Sequence, residues 1–487
     1  MLLAAVDVGS NSFRLEIGRA DGSHIERHGY WKEIVRLAAG LDENNRLSRR
    51  AIESAAECLA RINERLRGMS TSHVRAVGTQ TLRQAINADE FLLEGQHALG
   101  FPIEIISGRE EARLVFEGCM HSLTPSSKRR LVVDIGGASS EVIVGRTFEA
   151  DKAESFKVGC LNMTLKFFPD GVIDRASLRR AQVASQAEFE EAESFFGRGR
   201  WDEAYGTSGT IGAVSLVLRQ QGWTDGTITA AGLGRLRQTL LSAGDVRRVR
   251  FDGIKQERAA VLAGGLAVLM AIFETFGLQE LRTAKGGLRL GVLYDLLGRR
   301  ESHDIRDATV DRWQLRFGVD RAQSERVAQT AVSLFRAVAP SVDGEALKRV
   351  LIAAQLHEVG TAVSHGDYHK HSAYLIEHGD LPGFSTSDQK SIAELVLGQR
   401  GNLKKVSSLL EEPERAAALL ALRLAVILNH ARRDVVFDRW NLRFARTIDF
   451  GLERAWLDQH PLSRHLLEEE AEQWQRVGVR FSIRELS

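Results

Sequence analysis

The segment Asp7-Val8-Gly9-Ser10-Asn11-Ser12 ends an apolar run with a carboxylate, a glycine and three small polar residues. Gly9 lets the backbone turn sharply. Consecutive N–H groups, with the Ser10, Asn11 and Ser12 side chains, can then converge on phosphate oxygens, a nest-type anion site without a Walker lysine. The same pattern returns 127 residues later without a gap: Val6–Arg19 recurs as Val133–Arg146. The second copy is richer in glycine (Gly136, Gly137) and carries Glu141 where the first carries Arg14. Asp134 and Glu141 stand seven residues apart across a short hairpin. Both can face one pocket and hold a hard cation such as Mg²⁺ through oxygen, the rest of its shell coming from water and substrate phosphate.

Three further turns carry polar chemistry. Gly206-Thr207-Ser208-Gly209-Thr210 opens a helix, whose positive end favours anions. Thr79 and Arg83 place a hydroxyl and a forked cation at another strand-to-helix junction, and Arg suits bidentate phosphate contact. Ser107-Gly108 precedes Glu110-Glu111 at a helix start, where a carboxylate can orient and deprotonate water for attack on a phosphoanhydride.

The elements that must position these residues are legible in the periodicity. Residues 2–19 read as a hairpin. Phe13, Leu15 and Ile17 alternate with Arg14, Glu16 and Gly18, as in a strand with one buried face. Residues 48–67 read as a helix capped by Ser48, with Ile52, Ala55, Leu59, Ile62 and Leu66 at helical steps. Strands at 73–77 and 103–106 alternate with helices, so the front half reads as α/β. A polar joint at 125–130 separates a lobe over 1–124 from a second over 125–300. The second lobe has a long helix near 175–196, a strand at 204–205, a buried helix apolar all round at 257–276, and a last helix introduced by Lys285-Gly286-Gly287. A charged linker at 299–304 leads into 305–487, which reads as mostly helical with short strands near 435–450 and 478–484. Two copies of one turn motif imply two similar lobes facing each other, with one polyanion site in the cleft between them.

The bulk numbers narrow the classes. A chain of this length predicts about three domains. Sixty-five basic and 64 acidic side chains nearly cancel, so no global field points to nucleic acid or membrane, and a polyanion must be held locally. Three scattered cysteines (Cys58, Cys119, Cys160) suit a reducing cytosol and read as buried thiols. The start Met-Leu-Leu-Ala-Ala-Val reaches Asp7 too soon for a signal peptide and reads as the first strand. No apolar run is long enough for a membrane span. A cytoplasmic protein is expected.

Taken together, residues 4–15, 77–85, 103–116, 132–142, 206–210 and the segments LHEVG and HKHSAYLIEHGDLPGF within 356–384 closely resemble the exopolyphosphatase / guanosine pentaphosphate phosphatase (Ppx/GppA) family, in the family's order and over nearly the whole chain. The helical tail resembles the long bacterial exopolyphosphatases. The resemblance implies an α/β fold of two actin-like, ribonuclease-H-like lobes with the active site between them, followed by an all-α, HD-like C-terminal domain. It implies Mg²⁺-dependent, end-wise release of orthophosphate from inorganic polyphosphate, with Glu111 as catalytic base and Asp134 and Glu141 as metal-associated carboxylates. Ser10, Asn11, Ser12, Thr79, Arg83, Gly136, Gly137, Ser139, Ser208, Gly209 and Thr210 fall on phosphate-contact positions, and a homodimer through the helical part is implied. The chain departs from the pattern at Ala138, where a glycine is usual, at Leu290, where Glu is frequent, and at Lys285, where Asp is frequent. In the tail His357-Glu358 replaces His-Asp, and Asn429 stands where a closing Asp is expected. A second metal centre is therefore not expected, despite His365, His369 and His371. A basic wall that guides an anionic chain, built from Lys370, Arg400, Lys404 and Lys405, fits better.

Three other functions share these motifs. Removal of the 5′ γ-phosphate of guanosine pentaphosphate (pppGpp) uses every residue named. A kinase of the actin/sugar-kinase superfold is permitted by fold, but the Glu-Glu-Ala helix start favours water as acceptor. A non-catalytic sensor of polyphosphate or alarmone would not need Glu111, Asp134 and Glu141 together.

Overall fold

A computed structural model describes residues 1–300, 304–434 and 439–486. The chain divides into two units, Met1–Asp304 and Ile305–Ser487.

The apolar runs of the first unit form a five-stranded and a six-stranded sheet. In the first, β1 (Leu2–Val8), β2 (Ser12–Asp21), β3 (His24–Ile34), β4 (Val74–Gly78) and β5 (Ile103–Ile105) lie in the order β3-β2-β1-β4-β5. The second contains β6 (Arg130–Ile135), β7 (Ser140–Arg146), β8 (Glu149–Phe156), β9 (Glu203–Thr207), β10 (Ile228–Thr229) and β11 (Glu280–Thr283), in the order β10-β11-β9-β6-β7-β8. Each sheet is an antiparallel meander (β1-β2-β3, β6-β7-β8) extended on its other side by parallel strands (β4-β5, β9-β11). The repeat of one turn thus extends to a repeat of the whole sheet. The register break matches as well: β2 slips against β3 between Ile17 and Gly18, and β7 against β8 between Val144 and Gly145, the same place in the repeat.

Helix starts follow local side chains. The Ser48 hydroxyl accepts from the Ala51 amide at the head of the Arg49–Leu66 helix, and Ser107 accepts from the Glu110 amide at the head of Gly108–Ser122. Each such cap is worth about 1 kcal/mol.

The helices that end the two repeats exchange partners. Gly108–Ser122 follows the first sheet but buries Ala112, Val115, Phe116 and Cys119 against Val132 and Ile143 of the second. Leu288–Arg300 follows the second sheet but buries Val292, Leu293, Leu296 and Leu297 against Leu3, Ala5 and Val77 of the first. Each buried Val, Leu, Ile or Phe among them contributes about 1.5–3 kcal/mol. The two helices touch where glycine removes the obstacle. A Cβ on Gly291 would lie 1.8 Å from the Leu114 carbonyl oxygen, and one on Gly118 would lie 2.1 Å from that of Gly287.

Several elements differ from the sequence expectation. Strand β2 has both faces covered, because Glu16 is only 3% exposed and is paired with Arg27 and Arg289, whereas Ile17 is half-buried. The apolar segment at 257–276 breaks after Ala259 and resumes as Leu262–Phe276. The turn expected over 206–210 is compressed: Gly206 and Thr207 remain in β9, and the reversal falls on Ser208 at φ +85°. The second unit is mostly helical but not all-α. Strands β12 (Trp440–Phe444), β13 (Thr447–Glu453) and β14 (Arg480–Leu486) form a sheet beside its helices. They fall in or beside the two segments read as strands, of which 435–438 lie outside the described residues, as do 301–303 of the linker. No helix among the described residues is long and apolar enough to cross a membrane.

Candidate functional site

The two glycine turns meet. A Cβ added to Gly137 would lie 3.5 Å from the Asn11 Cβ and 3.7 Å from the Ser10 Cβ. Gly9 is needed for closeness rather than for an unusual φ, because a Cβ there would stand 3.0 Å from the Ser12 carbonyl oxygen and 3.2 Å from an Asp7 carboxylate oxygen. The Gly136 amide donates to the Ser139 carbonyl at 2.9 Å and ties the second turn. Between them opens a cavity of about 360 Å³. Ser10, Asn11, Ser12, Thr79, Gly136, Gly137, Ser139, Ser208 and Gly209 all line it, with Glu111, Asp134 and Glu141. Two residues expected there do not line it. Thr210 is buried behind Ser208, near Cys160, and Arg83 lies beyond Glu111, to which its Nη1 donates at 2.9 Å. The Ser208 hydroxyl is buried without a hydrogen-bond partner in the protein, and the positive φ of Ser208 is stored strain of the kind that gathers at functional sites.

Adjacent carboxylates at the start of the Gly108–Ser122 helix have opposite fates. Glu110 turns into a buried ion network, taken by Arg113 at 2.8 Å and approached by Arg75 at 3.9 Å. Asp295 completes that network with Arg75 at 2.6 Å, Arg113 at 2.5 Å and Arg299 at 2.8 Å. Glu111 turns into the cavity, where burial raises its pKa, Arg83 opposes the rise, and Asp7 adds to it.

Asp134 and Glu141 are directly paired across the β6–β7 hairpin. Burial, then the charges of Glu111 and Asp7, push Asp134 up to about 7, with Arg14 and Arg289 opposing. Burial, then Glu111 and Asp134, push Glu141 well above the usual carboxylate range, although Ser155 donates to it at 2.8 Å. These buried carboxylates raise one another's pKa, an arrangement that a cation relieves. Their hard oxygen donors fit Mg²⁺, which needs one or two protein carboxylates and takes water or phosphate for the rest. Among the described residues no group of three or more His, Cys, Asp or Glu is gathered tightly enough to hold a metal alone.

The cavity also carries a cationic wall. Arg14, Lys32, Arg258, Lys285 and Arg289 line it. Lys32 faces Arg14 across β2–β3, and burial with the charges of Arg14 and Arg258 pulls its pKa down to about 8. Arg258 lies over Gly209, where a Cβ would come within 2.3 Å of its Nη2. Arg289 lies 3.6 Å from Asp7 and stacks 5.3 Å from the Tyr30 ring centre. Sequence reading did not assign Lys32, Arg258, Arg289 or Tyr30 to the site. Arg258 lay at the edge of a segment judged by its apolar residues, and Lys32 and Tyr30 sit on a third strand with no turn motif. Arg289 was within reach, two residues beyond Gly286-Gly287.

In the second unit the His-Asp-like residues are spent on structure. The ring of buried His357 is hydrogen-bonded to the Ala354 carbonyl, Glu358 is paired with Arg432 at 2.5 Å, and Asn429 donates to Thr330 and to the Ala425 carbonyl. A separate cationic cluster surrounds His369, which is 6% exposed and whose Nδ1 has no partner. Burial, then Lys405 and Arg400, bring its pKa down to about 4. Burial, then Arg423, Lys370 and Arg400, bring Lys405 down to about 8. Lys404 is exposed.

A repeated α/β sheet with a polar cavity built from two glycine turns, followed by a mostly helical unit, defines the class. Residues 17–300 match the Ppx/GppA phosphatase family, and residues 305–471 match Ppx/GppA phosphatase, domain III. The chain belongs to the Ppx/GppA phosphatase family. That membership implies hydrolase activity on polyphosphate-like substrates. Similar solved structures include an exopolyphosphatase from Cytophaga hutchinsonii (21% identity, 61% of this chain and 98% of that one, TM-score 0.55). They also include the Aquifex aeolicus family member in two determinations. One has 24% identity over 62% of this chain and 98% of that one, with TM-score 0.53. The other has 25% identity over 60% and 99%, with TM-score 0.51.

Proposed function

We propose that this protein is an exopolyphosphatase, removing orthophosphate from the end of inorganic polyphosphate with Mg²⁺ as cofactor, and that its first unit is a pair of actin-like lobes. The observation that carries the reading is the cavity under two facing turns, lined both by the carboxylates Glu111, Asp134 and Glu141 and by the cations Arg14, Lys32, Arg258 and Arg289. In this reading the turn amides and the Ser10, Ser12, Ser139 and Ser208 hydroxyls hold the terminal phosphoryl oxygens. Arg14, Lys32, Arg258 and Arg289 hold the phosphates behind it. Arg83 fixes one oxygen of Glu111, leaving the other to take the proton of the attacking water. Asp134 and Glu141 would hold Mg²⁺, whose charge offsets that of the phosphoryl group. Catalysis is then mostly positioning and charge stabilisation. In the second unit, the cations Lys370, Arg400 and Lys405 would attract polyphosphate, and the protein would act as a homodimer.

The test is phosphate release from long-chain polyphosphate, with pppGpp in parallel and no acceptor added. Faster release from polyphosphate supports the reading. Preference for pppGpp replaces it with 5′-phosphohydrolase activity, and tight binding without turnover replaces it with a sensor.

A further inference from the structure

A processive end-wise hydrolase has a traffic problem. After cleavage the shortened chain still fills the cation-lined cavity, so freed orthophosphate cannot leave the way the chain entered. A second cavity, of about 560 Å³, adjoins the first. We propose that it receives orthophosphate and serves as its exit, an inference that rests on the polyphosphatase reading above.

Three observations carry it. First, Gly137 lines both cavities, so a single glycine, packed beside Asn11, Ser10 and Leu161, is the wall they share, and phosphate would pass where that wall gives way. Second, Arg83 lines the second cavity while its Nη1 donates to Glu111 in the first, so one guanidinium spans from the base to the exit. Third, the second cavity offers anion-binding groups that nothing in the protein uses. Thr81 is 2% exposed, lines it, and has a buried hydroxyl without a partner. Lys157 lines it and pairs with no carboxylate among the described residues. The acid at its wall, Asp42, is turned to its own loop, accepting from the Asn44 and Arg46 amides. The first cavity mixes the acids Asp7, Glu111, Asp134 and Glu141 with its cationic wall, whereas the second is lined by Arg83 and Lys157 with Asp42 as its one acid.

The test is product inhibition, in wild type and in the Thr81→Val and Lys157→Glu variants, neither of which touches the machinery described above. With inorganic phosphate added to long-chain polyphosphate assays, phosphate should lower kcat without raising KM, because product and chain occupy different cavities. Each variant should raise the phosphate inhibition constant by about tenfold, the loss of one hydrogen bond or ion contact to a charged ligand. Inhibition that raises only KM, or inhibition constants unchanged in both variants, would overturn the exit. A second measurement needs no turnover: equilibrium dialysis of labelled inorganic phosphate with Glu111→Gln saturated with long polyphosphate should show one phosphate per chain, lost on adding Lys157→Glu. No bound phosphate, or binding indifferent to Lys157, contradicts the exit. Wild-type protein that neither binds nor hydrolyses polyphosphate contradicts the polyphosphatase reading, and dialysis without polyphosphate still reports on the second cavity.

Discussion

Glu110 and Glu111 are neighbours in sequence with the same side chain, and the fold gives one to a buried ion network and the other to the cavity. Glu111→Gln keeps shape and hydrogen bonding but removes the base. It should retain polyphosphate binding and lose about 10²–10⁴ in phosphate release, the usual worth of a general base, measured by colorimetric phosphate assay. The raised pKa values give a second prediction. Asp134 moves from an ordinary 3.8 in the unfolded chain to about 7 when folded, so across that window the folded protein binds more protons than the unfolded one. Stability then falls as pH rises. In EDTA the melting temperature should drop from about pH 4 to 7, and Mg²⁺ should flatten the curve if Asp134 and Glu141 hold it; a rise with pH would contradict the sign. The glycine turns, the paired carboxylates and Glu111 were readable because each sits in a turn motif. Lys32 and Arg258 were not, because a lone cation on an unmarked strand or helix edge carries no local sign of what it faces.

The elements hold these residues through the exchanged helices. Gly291→Ala would drive a methyl into the Leu114 carbonyl, and should cost about 1–3 kcal/mol in denaturant unfolding, the range for overpacking. Asp295→Asn leaves Arg75, Arg113 and Arg299 short of a counter-charge in a buried site and should cost about 3–5 kcal/mol. Either variant near wild-type stability would show that the crossing tolerates more than its geometry suggests. Helix starts were legible because Ser48 and Ser107 are local signals. The exchange was not, since the apolar faces of Gly108–Ser122 and Leu288–Arg300 tell which side is buried but not which sheet buries it. The strand β2 misreading has the same origin: Glu16 looks solvated until Arg27 and Arg289 arrive from other elements.

At the scale of the molecule, the two units correspond to separate family matches, and the similar solved structures cover 60–62% of this chain while themselves being covered almost entirely. Residues 1–304 expressed alone should therefore fold, release phosphate from short chains, and bind long polyphosphate more weakly than the full chain; equal long-chain affinity would remove the second unit's cationic cluster from substrate binding. The change of architecture near residue 300 was visible in the loss of glycine-turned strands, whereas the sheet of β12, β13 and β14 was only glimpsed, because short strands inside a helical unit give little periodicity. The account stands on one cavity acting as a water-using phosphotransfer site. A time course of orthophosphate release from long polyphosphate with Mg²⁺, its products sized on a gel, examines that directly. Steady release from a slowly shortening chain, abolished in Glu111→Gln, is the expected result. Internal fragments without early orthophosphate, or undiminished release by Glu111→Gln, would contradict it.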